Sequence, residues 1–231
     1  MAVAEPGGLR TVQLRRHHRA LLDELRGGEV PVLVDLAEGA GAARLTVVTH
    51  DRRGLLAILT ACFDELGLDV VAADVFSLPV SPRIALDVFR VVSRDPRQQQ
   101  GPQREFEAQI QDHLAQKLSS VADAETTTSL REPLPPLPNR PRGRARRAKT
   151  KVRFFEDPGG TRTVVDLHTI QNPGVMARVC RAISSLGLDI DIARINTELG
   201  RVEAVFYVSK LDEDRQALLD QAIRANLRTR R

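Results

Sequence analysis

The sequence has few aromatic residues: of its 231 residues none is Trp, one is Tyr and seven are Phe. Its hydrophobic cores must therefore be built from Leu, Val, Ile and Ala. Long apolar runs are also missing, since none reaches the roughly 18 residues that a membrane-spanning helix needs. The N-terminus lacks the charged stretch followed by an apolar stretch that is typical of a secretory signal. We expect a cytoplasmic protein with no membrane association.

Cysteine and catalytic patterns are equally sparse. Cys62 and Cys180 lie far apart in apolar helical patterns, with no Cys or His at metal-ligand spacing beside them. They are predicted to be two buried thiols in a reducing compartment, in preference to a disulfide or a zinc site. The sequence shows no nucleophile–base pair and no His/Asp cluster at metal spacing. We therefore expect no catalytic residue, no metal and no cofactor.

Positive charge is concentrated near the middle of the chain. The net charge is +4, but residues 131–151 contain eight basic residues and one acidic residue, a net +7, which leaves −3 for the rest. The same stretch contains five prolines. Dense proline disfavours helix and sheet, and like charges repel. The pattern predicts an extended linker over Thr126–Thr150.

The parts of the chain on either side of this linker resemble each other. When the sequence is shifted by 120 residues, Val32–Phe76 aligns with Val152–Asn196 without a gap, and ten positions are identical. The run Leu-Gly-Leu-Asp occurs at both 66–69 and 186–189. This is an internal duplication, and it defines a first and a second repeat.

Both repeats predict the same order of elements: strand, helix, strand, strand, helix. The predicted strands are Arg44–Thr49, Asp69–Phe76 and Ile84–Val92 in the first repeat, and Thr163–Thr169, Asp189–Asn196 and Arg201–Val208 in the second. The first helices have apolar stripes at 55, 59, 62, 63 and 66 and at 175, 179, 183 and 186. The closing helices are marked by Phe106, Ile110, Leu114, Leu118 and Val121, and by Leu218, Leu219, Ala222, Ile223 and Leu227.

One further strand ahead of each repeat, Val30–Leu36 or Val152–Phe155, completes or flanks the sheet. Crossover rules then favour an α+β fold, with two ferredoxin-like (βαββαβ) units and both helices of each on one face. The predicted domain division is 1–28 for an N-terminal connector with a short amphipathic helix around Leu14–Leu25, 29–125 for the first domain, 126–150 for the linker and 151–231 for the second domain.

The turn before the first helix of each repeat is the candidate ligand site. A strand end meets a helix start there, so free N–H groups and the helix dipole can hold a carboxylate, while an acid or amide side chain can accept from an ammonium group. Together these groups describe a free amino acid. The candidate residues are Asp51, Arg52, Gly54 and Leu55 in the first turn and Gln171, Asn172, Gly174 and Val175 in the second. The alternative is that Asp51 and Asn172-Pro173 only cap and start their helices.

These turns resemble the signature of ACT domains, an Asp or Asn followed by Arg-Pro-Gly-Leu-Leu. The second repeat, through Leu188-Asp189-Ile190, Ala193–Thr197 and Arg201–Val208, resembles the last ACT domain of bacterial PII-protein uridylyltransferases. The resemblance covers about Leu14 to Leu227. The sequence departs from the signature at Arg53, which replaces proline, at Gln171, which replaces Asp, and at Val175-Met176, which replaces Leu-Leu.

The resemblance implies a regulatory module that binds an amino acid, with glutamine suspected, and that reports nitrogen status without a catalytic centre. It implies a homodimer or a pairing of the two ACT domains within the chain, and a catalytic nucleotidyltransferase or a PII protein as partner. Of the two turns we expect the first to bind more tightly, because Asp51 is ionised whereas Gln171 and Asn172 are neutral.

The competing hypothesis is a nucleic-acid-binding protein that uses a ferredoxin-like sheet and the basic linker. Such sheets need exposed aromatic residues on their central strands. Phe89 and Phe206 lie in the core-facing register of their strands, and only Tyr207 points the other way. The sequence therefore disfavours nucleic acid as a partner.

Overall fold

The computed structural model describes residues 2–3, 12–13, 23, 32–39, 42–78, 82–95, 103–127 and 150–228. Its strands are β1 (Ala2–Val3), β2 (Val12–Gln13), β3 (Val32–Gly39), β4 (Ala42–His50), β5 (Leu68–Leu78), β6 (Ile84–Ser93), β7 (Lys151–Glu156), β8 (Arg162–Ile170), β9 (Ile190–Glu198) and β10 (Arg201–Ser209). Its helices are α1 (Leu55–Glu65), α2 (Gln103–Thr127), α3 (Val175–Ser185) and α4 (Glu213–Leu227). The predicted helix around Leu14–Leu25 lies outside the described residues except at Asp23, which is helical.

The predicted linker also lies largely outside the described part of the chain. Its first two residues, Thr126 and Thr127, belong to α2, which runs further than predicted. At its other end Thr150 is described, and β7 begins at the next residue. The linker and the domain boundaries drawn from it stay predictions.

The two repeats share one antiparallel sheet of eight strands, in the order β3-β4-β6-β5-β9-β10-β8-β7. The β1–β2 pair forms a separate two-stranded sheet. Strand residues that alternate onto one face of the large sheet join residues of all four helices in a single hydrophobic core. The predicted α+β architecture is confirmed at this level, as two ACT-like halves in one layered structure.

The order of elements corrects the closing strand of the predicted βαββαβ unit and confirms the strand predicted ahead of each repeat. Among the described residues each half runs strand, strand, helix, strand, strand, helix. In the first half β3 lies antiparallel beside β4, and in the second half β7 lies antiparallel beside β8. The fourth strand therefore occupies the expected edge of each four-stranded half but comes from upstream sequence.

The halves are joined through β5 and β9, where the central pair, Asp74 with Arg194, is flanked by Ala73 with Ile195 and Val75 with Ala193. Because equivalent residues differ by 120, exchanging the two repeats converts one flanking pair into the other. The junction is therefore built on a pseudo-two-fold axis, with α1 and α3 packed together above it.

This packing changes the burial predicted for the helices. The apolar stripe of α1 predicts one buried face, but Ile58, Thr60 and Asp64 are buried as well, because α3 packs against α1. Near the C-terminus, Leu219 and Ile223 of α4 are buried as predicted, whereas Leu218 is exposed. The predicted helix ends are confirmed, since Gly67 and Gly187 follow the helices with φ angles of 75° and 69°, in the left-handed region that glycine favours.

Candidate functional site

A glycine shapes both candidate turns. Gly54 and Gly174 are the N-cap residues of α1 and α3, with φ angles of 74° and 66°, and neither helix start receives a side-chain cap. The alternative that Asp51 and Asn172-Pro173 only cap and start their helices is therefore wrong. A left-handed cap suits glycine, and the candidate polar side chains lie ahead of it in the chain.

Each turn is closed by the helix end of the other repeat. A Cβ added to Gly54 would lie 2.7 Å from Ser184 Oγ, and one added to Gly174 would lie 2.8 Å from the Asp64 carboxylate. Asp64 and Ser184 are equivalent positions, 120 residues apart. The two turns are therefore not isolated surface features but halves of two related sites between the repeats.

We call the cavity at the first turn the first interface site. Asp51, Arg52, Gly54 and Leu55 all line it, which brings the four predicted residues of the first turn together. The other repeat contributes further lining residues, among them Cys180, Ser184 and Asp189. The cavity volume is about 10 Å³, room for a single water-sized group.

The second interface site is its symmetry mate. It is lined by Gln171, Gly174 and Val175 of the second repeat and by Thr60, Asp64 and Asp69 of the first, and it has the same volume of about 10 Å³. Asn172, the fourth residue predicted for this turn, does not line the cavity. Its side-chain amide donates to the carbonyl of Ile170 over 3.2 Å.

A chain of alternating charges connects the repeats beside the first interface site. The Asp51 carboxylate, 8% exposed, lies 3.1 Å from Arg83 Nη2. The same nitrogen lies 3.0 Å from Asp191 Oδ1 of the second repeat, and Arg162 Nε lies 3.3 Å from Asp191 Oδ2. Asp51 thus already has a cationic partner, which a bound ammonium group would have to share.

Two further carboxylates line the same cavity. Asp87 on β6 is 1% exposed, and its Oδ1 accepts a hydrogen bond from Phe76 N–H over 3.2 Å. Burial raises the pKa of Asp87 to about 8, against the lowering effect of that hydrogen bond, and the charge of Asp51 contributes to the increase. Burial also raises the pKa of Asp189, and the charge of Asp51 raises it further.

The second interface site has a different charge balance. Gln171 is neutral, as predicted, and its Oε1 is buried with no hydrogen-bond partner among the residues that the structure describes. Asp64 and Asp69 come from the other repeat, and both pair with Arg94, whose Nη2 lies 2.7 Å from Asp64 Oδ1 and 2.6 Å from Asp69 Oδ1. The prediction that this site offers only neutral groups therefore missed two acids, but both are already paired with a cation.

The sequence analysis missed five site residues: Asp64, Asp69, Asp87, Ser184 and Asp189. A signal existed for three of them. Asp87 lies between apolar residues of the predicted strand Ile84–Val92, and Asp69 and Asp189 close the repeated Leu-Gly-Leu-Asp run. Asp64 and Ser184 lie at helix ends like many surface residues, so their role depends on the contact between the repeats.

Other candidate functions find little support in the geometry. Across the described ranges no group of three or more His, Cys, Asp or Glu side chains is placed to hold a metal ion, and no helix is long and apolar enough to cross a membrane. Cys62 and Cys180 are buried and unpaired, as predicted.

Phe89 and Phe206 are fully buried, so neither can stack on a base. Phe155, which the sequence reasoning did not consider, is exposed on β7, in register with Val164 and, beyond it, Tyr207.

No protein-family model matches the sequence. The sequence does match curated proteins named bifunctional uridylyltransferase/uridylyl-removing enzyme. One from Aliivibrio fischeri is 26% identical over 203 residues, which cover 85% of this chain and 22% of the relative. One from Methylococcus capsulatus is 27% identical over 215 residues, 91% of this chain and 23% of the relative. One from Acinetobacter baumannii is 28% identical over 207 residues, 85% of this chain and 21% of the relative.

Among solved structures, aspartate kinase from Synechocystis aligns with 81% of this chain and 27% of its own, at a TM-score of 0.41 and 16% identity. The chain spans about a fifth of the length of the curated relatives it matches. It is homologous to the regulatory region of bifunctional uridylyltransferases, and the resemblance predicted from the two turns and the second repeat is confirmed.

Proposed function

We propose that this protein is a regulatory module that binds a free amino acid, most specifically glutamine, between its two repeats, and that it has no catalytic centre of its own. The observation that carries the proposal is the closure of each ligand turn by the other repeat. Occupancy of such a site must change how the repeats pack, which is what a sensor needs. The homology to the uridylyltransferase regulatory region supports the same function.

Binding requires the interface to open. Each cavity has room for one water-sized group, whereas glutamine has ten non-hydrogen atoms. A ligand that enters the first interface site must move Gly54 away from Ser184, because even a single added Cβ at Gly54 would lie 2.7 Å from Ser184 Oγ. The ligand therefore stabilises a separated arrangement of α1 and α3 over the closed one. That difference in affinity is the source of the regulatory signal.

We propose that the first interface site binds more tightly than the second. The start of α1 supplies N–H groups and a positive dipole end for the ligand carboxylate. Asp51 lines the cavity and offers a carboxylate to the ammonium group, which would share it with Arg83. At the second site Asp64 and Asp69 are held by Arg94, so an ammonium group must compete with a guanidinium.

The partner that receives the signal follows from the homology. We propose a nucleotidyltransferase catalytic region or a PII protein as that partner, in a bacterial cytoplasm, with nitrogen status as the signal. We further propose that the ACT–ACT pair is the one formed within the chain, through β5 and β9. The end strands of the described sheet, β3 and β7, are the edges through which we propose that a second copy would pair.

Isothermal titration of the purified chain with L-glutamine tests the proposal. Wild type should bind, and Asp51→Asn should weaken binding about tenfold, the difference between a charge-assisted and a neutral hydrogen bond. Its melting temperature is measured in parallel, because the substitution also weakens the ion pair of Asp51 with Arg83, and binding is compared at a temperature where both proteins are folded. Asp112→Asn, at an exposed position of α2, is the matched control and should bind like wild type. Absence of glutamine binding at millimolar concentration would refute the proposed ligand.

A further inference from the structure

Asp87 is a buried acid, and the proposed binding of an amino acid by the residues of the first turn does not explain why an acid is buried at this position. It lies on an interior strand of the sheet, β6, between β4 and β5, and it lines the first interface site. Its only hydrogen bond within the described part of the chain comes from Phe76 N–H to Oδ1. A carboxylate in such a place is strongly destabilised unless a cation or further hydrogen-bond donors satisfy it.

The charged groups around Asp87 do not supply that cation. Arg83 binds Asp51 and Asp191, and the Arg52 guanidinium donates to the carbonyl of Leu118 over 2.9 Å. The remaining titratable groups that line the cavity are Asp51, Asp189 and the thiol of Cys180, whose pKa burial raises to about 12. No ion pair of the described residues includes Asp87.

The site thus combines a volume of one water-sized group with three acidic side chains, one of which, Asp87, is buried and has no cationic partner among the described residues. We propose that Asp87, with Asp51 and Asp189, is the receptor for a primary ammonium group in the first interface site. An ammonium group is the size of a water molecule and carries three or four N–H donors. This inference extends the proposed function. It rests on that function in one respect, namely that the ammonium group belongs to an amino acid. A free ammonium ion offers the same chemistry.

A comparison with the second interface site favours this ligand class. In the second interface site Asp64 and Asp69 are paired with Arg94, so the protein's own guanidinium fills the role there. The ammonium receptor therefore belongs to the first site alone.

Binding at this receptor is coupled to a proton. In the empty site the raised pKa of Asp87, about 8, keeps the carboxyl group protonated at neutral pH. An ammonium group beside it favours the carboxylate, so the Asp87 O–H proton leaves to solvent while the ligand stays cationic. One proton is released for each ligand bound. The affinity should then rise up to about tenfold per pH unit below pH 8 and level off above it.

The test follows the carboxyl carbon of Asp87 by ¹³C NMR over a pH titration, with assignment by Asp87→Asn. Methylammonium, ammonium and tetramethylammonium chlorides are compared at equal ionic strength, and L-glutamine is added in a separate series. Methylammonium should lower the pKa of Asp87 by at least about one unit, a tenfold preference of the ligand for the ionised form. Tetramethylammonium, which has the charge but no N–H donor, should leave the pKa of Asp87 unchanged.

The outcomes separate this inference from the proposed function. If methylammonium shifts Asp87 and glutamine does not, the receptor is supported and the amino-acid ligand is refuted. A response to ammonium alone assigns the site to the free ion. If no amine moves the pKa of Asp87, the receptor is refuted, even where glutamine binds to the chain. Proton release that persists in Asp87→Asn, measured by titration calorimetry in two buffers, refutes it as well.

Discussion

Asp74 and Arg194 are equivalent residues of the two repeats, and they pair with each other at the centre of the β5–β9 junction. Arg194 Nε lies 3.1 Å from Asp74 Oδ1. The pseudo-two-fold axis passes through this pair, so each of the two residues faces its own equivalent from the other repeat. Two copies of the first repeat joined in the same way would place Asp against Asp, and two copies of the second would place Arg against Arg. The charges therefore favour pairing between unlike repeats.

Reversing one of these charges should weaken the junction. Asp74→Arg places two guanidinium groups on the axis and should lower the free energy of unfolding by about 0.5–1 kcal/mol, since both side chains are half-exposed. The double variant Asp74→Arg/Arg194→Asp restores opposite charges and should recover most of the loss. Chemical denaturation of wild type, Asp74→Arg, Arg194→Asp and the double variant at low salt measures the coupling energy between the two side chains. Equal stability of the single and double variants would show that the pair contributes nothing.

Alanine at Gly54 should cost more stability than alanine at Gly187. Both glycines have a positive φ, at 74° and 69°, so each substitution incurs roughly 1–2 kcal/mol of left-handed strain. Only at Gly54 does the new Cβ meet a neighbour, at 2.7 Å from Ser184 Oγ, whereas Gly187 has nothing within 4 Å. Gly54→Ala should therefore lose roughly a further 1–3 kcal/mol by overpacking.

Ser184→Ala provides the control for this contact. It removes the Oγ atom and leaves a Cβ atom 3.8 Å from the added group, so the double variant Gly54→Ala/Ser184→Ala should regain the overpacking part of the loss. Melting temperatures of the four proteins and of Gly187→Ala suffice. A double variant as unstable as Gly54→Ala alone would mean that the close approach to α3 is not the cause.

Asp87→Asn should make the protein less sensitive to pH. The carboxyl group has a pKa near 3.9 in an unfolded chain and about 8 in the folded protein. Between these values the folded state binds a proton that the unfolded state has lost, so rising pH destabilises the wild type. Asparagine cannot ionise. The difference in melting temperature, Asp87→Asn minus wild type, should therefore increase by at least about 2 °C between pH 5 and pH 8.

The same comparison with Asp112→Asn, at an exposed position, should show a constant difference over this pH range. A parallel fall of wild type and Asp87→Asn between pH 5 and pH 8 would assign the pH dependence to other groups, of which Asp189 is the first to examine.

Trypsin should cut first between Arg131 and Lys151, because prolines and like charges there oppose regular structure. The junction of β5 with β9 and the packing of α1 against α3 add a second expectation. The two fragments should stay associated and elute together on size exclusion, separating only in denaturant. Faster cleavage elsewhere would contradict the linker boundary, and separate elution under native conditions would contradict a stable junction.

The sequence by itself determined the duplication, the element types and the turn that carries the candidate site. These follow from local patterns: the 120-residue repeat, the apolar stripes of α1 and α3, and the glycines that end or begin the helices. The resemblance to ACT domains was readable for the same reason, since it depends on short runs of consecutive residues. Even the N-cap position needed the structure, because Asp51 and Gly54 are both acceptable caps on sequence grounds.

The tertiary structure alone decided how the repeats face each other, and with that the composition of both sites. Ser184 and Asp189 come beside the first turn, and Asp64 and Asp69 beside the second, through strand pairing between segments about 120 residues apart. No local pattern specifies such a contact, because β5 could pair with any compatible edge. The burial of Asp87, and the raised pKa that follows from it, likewise depends on atoms from several elements packed around one carboxyl group.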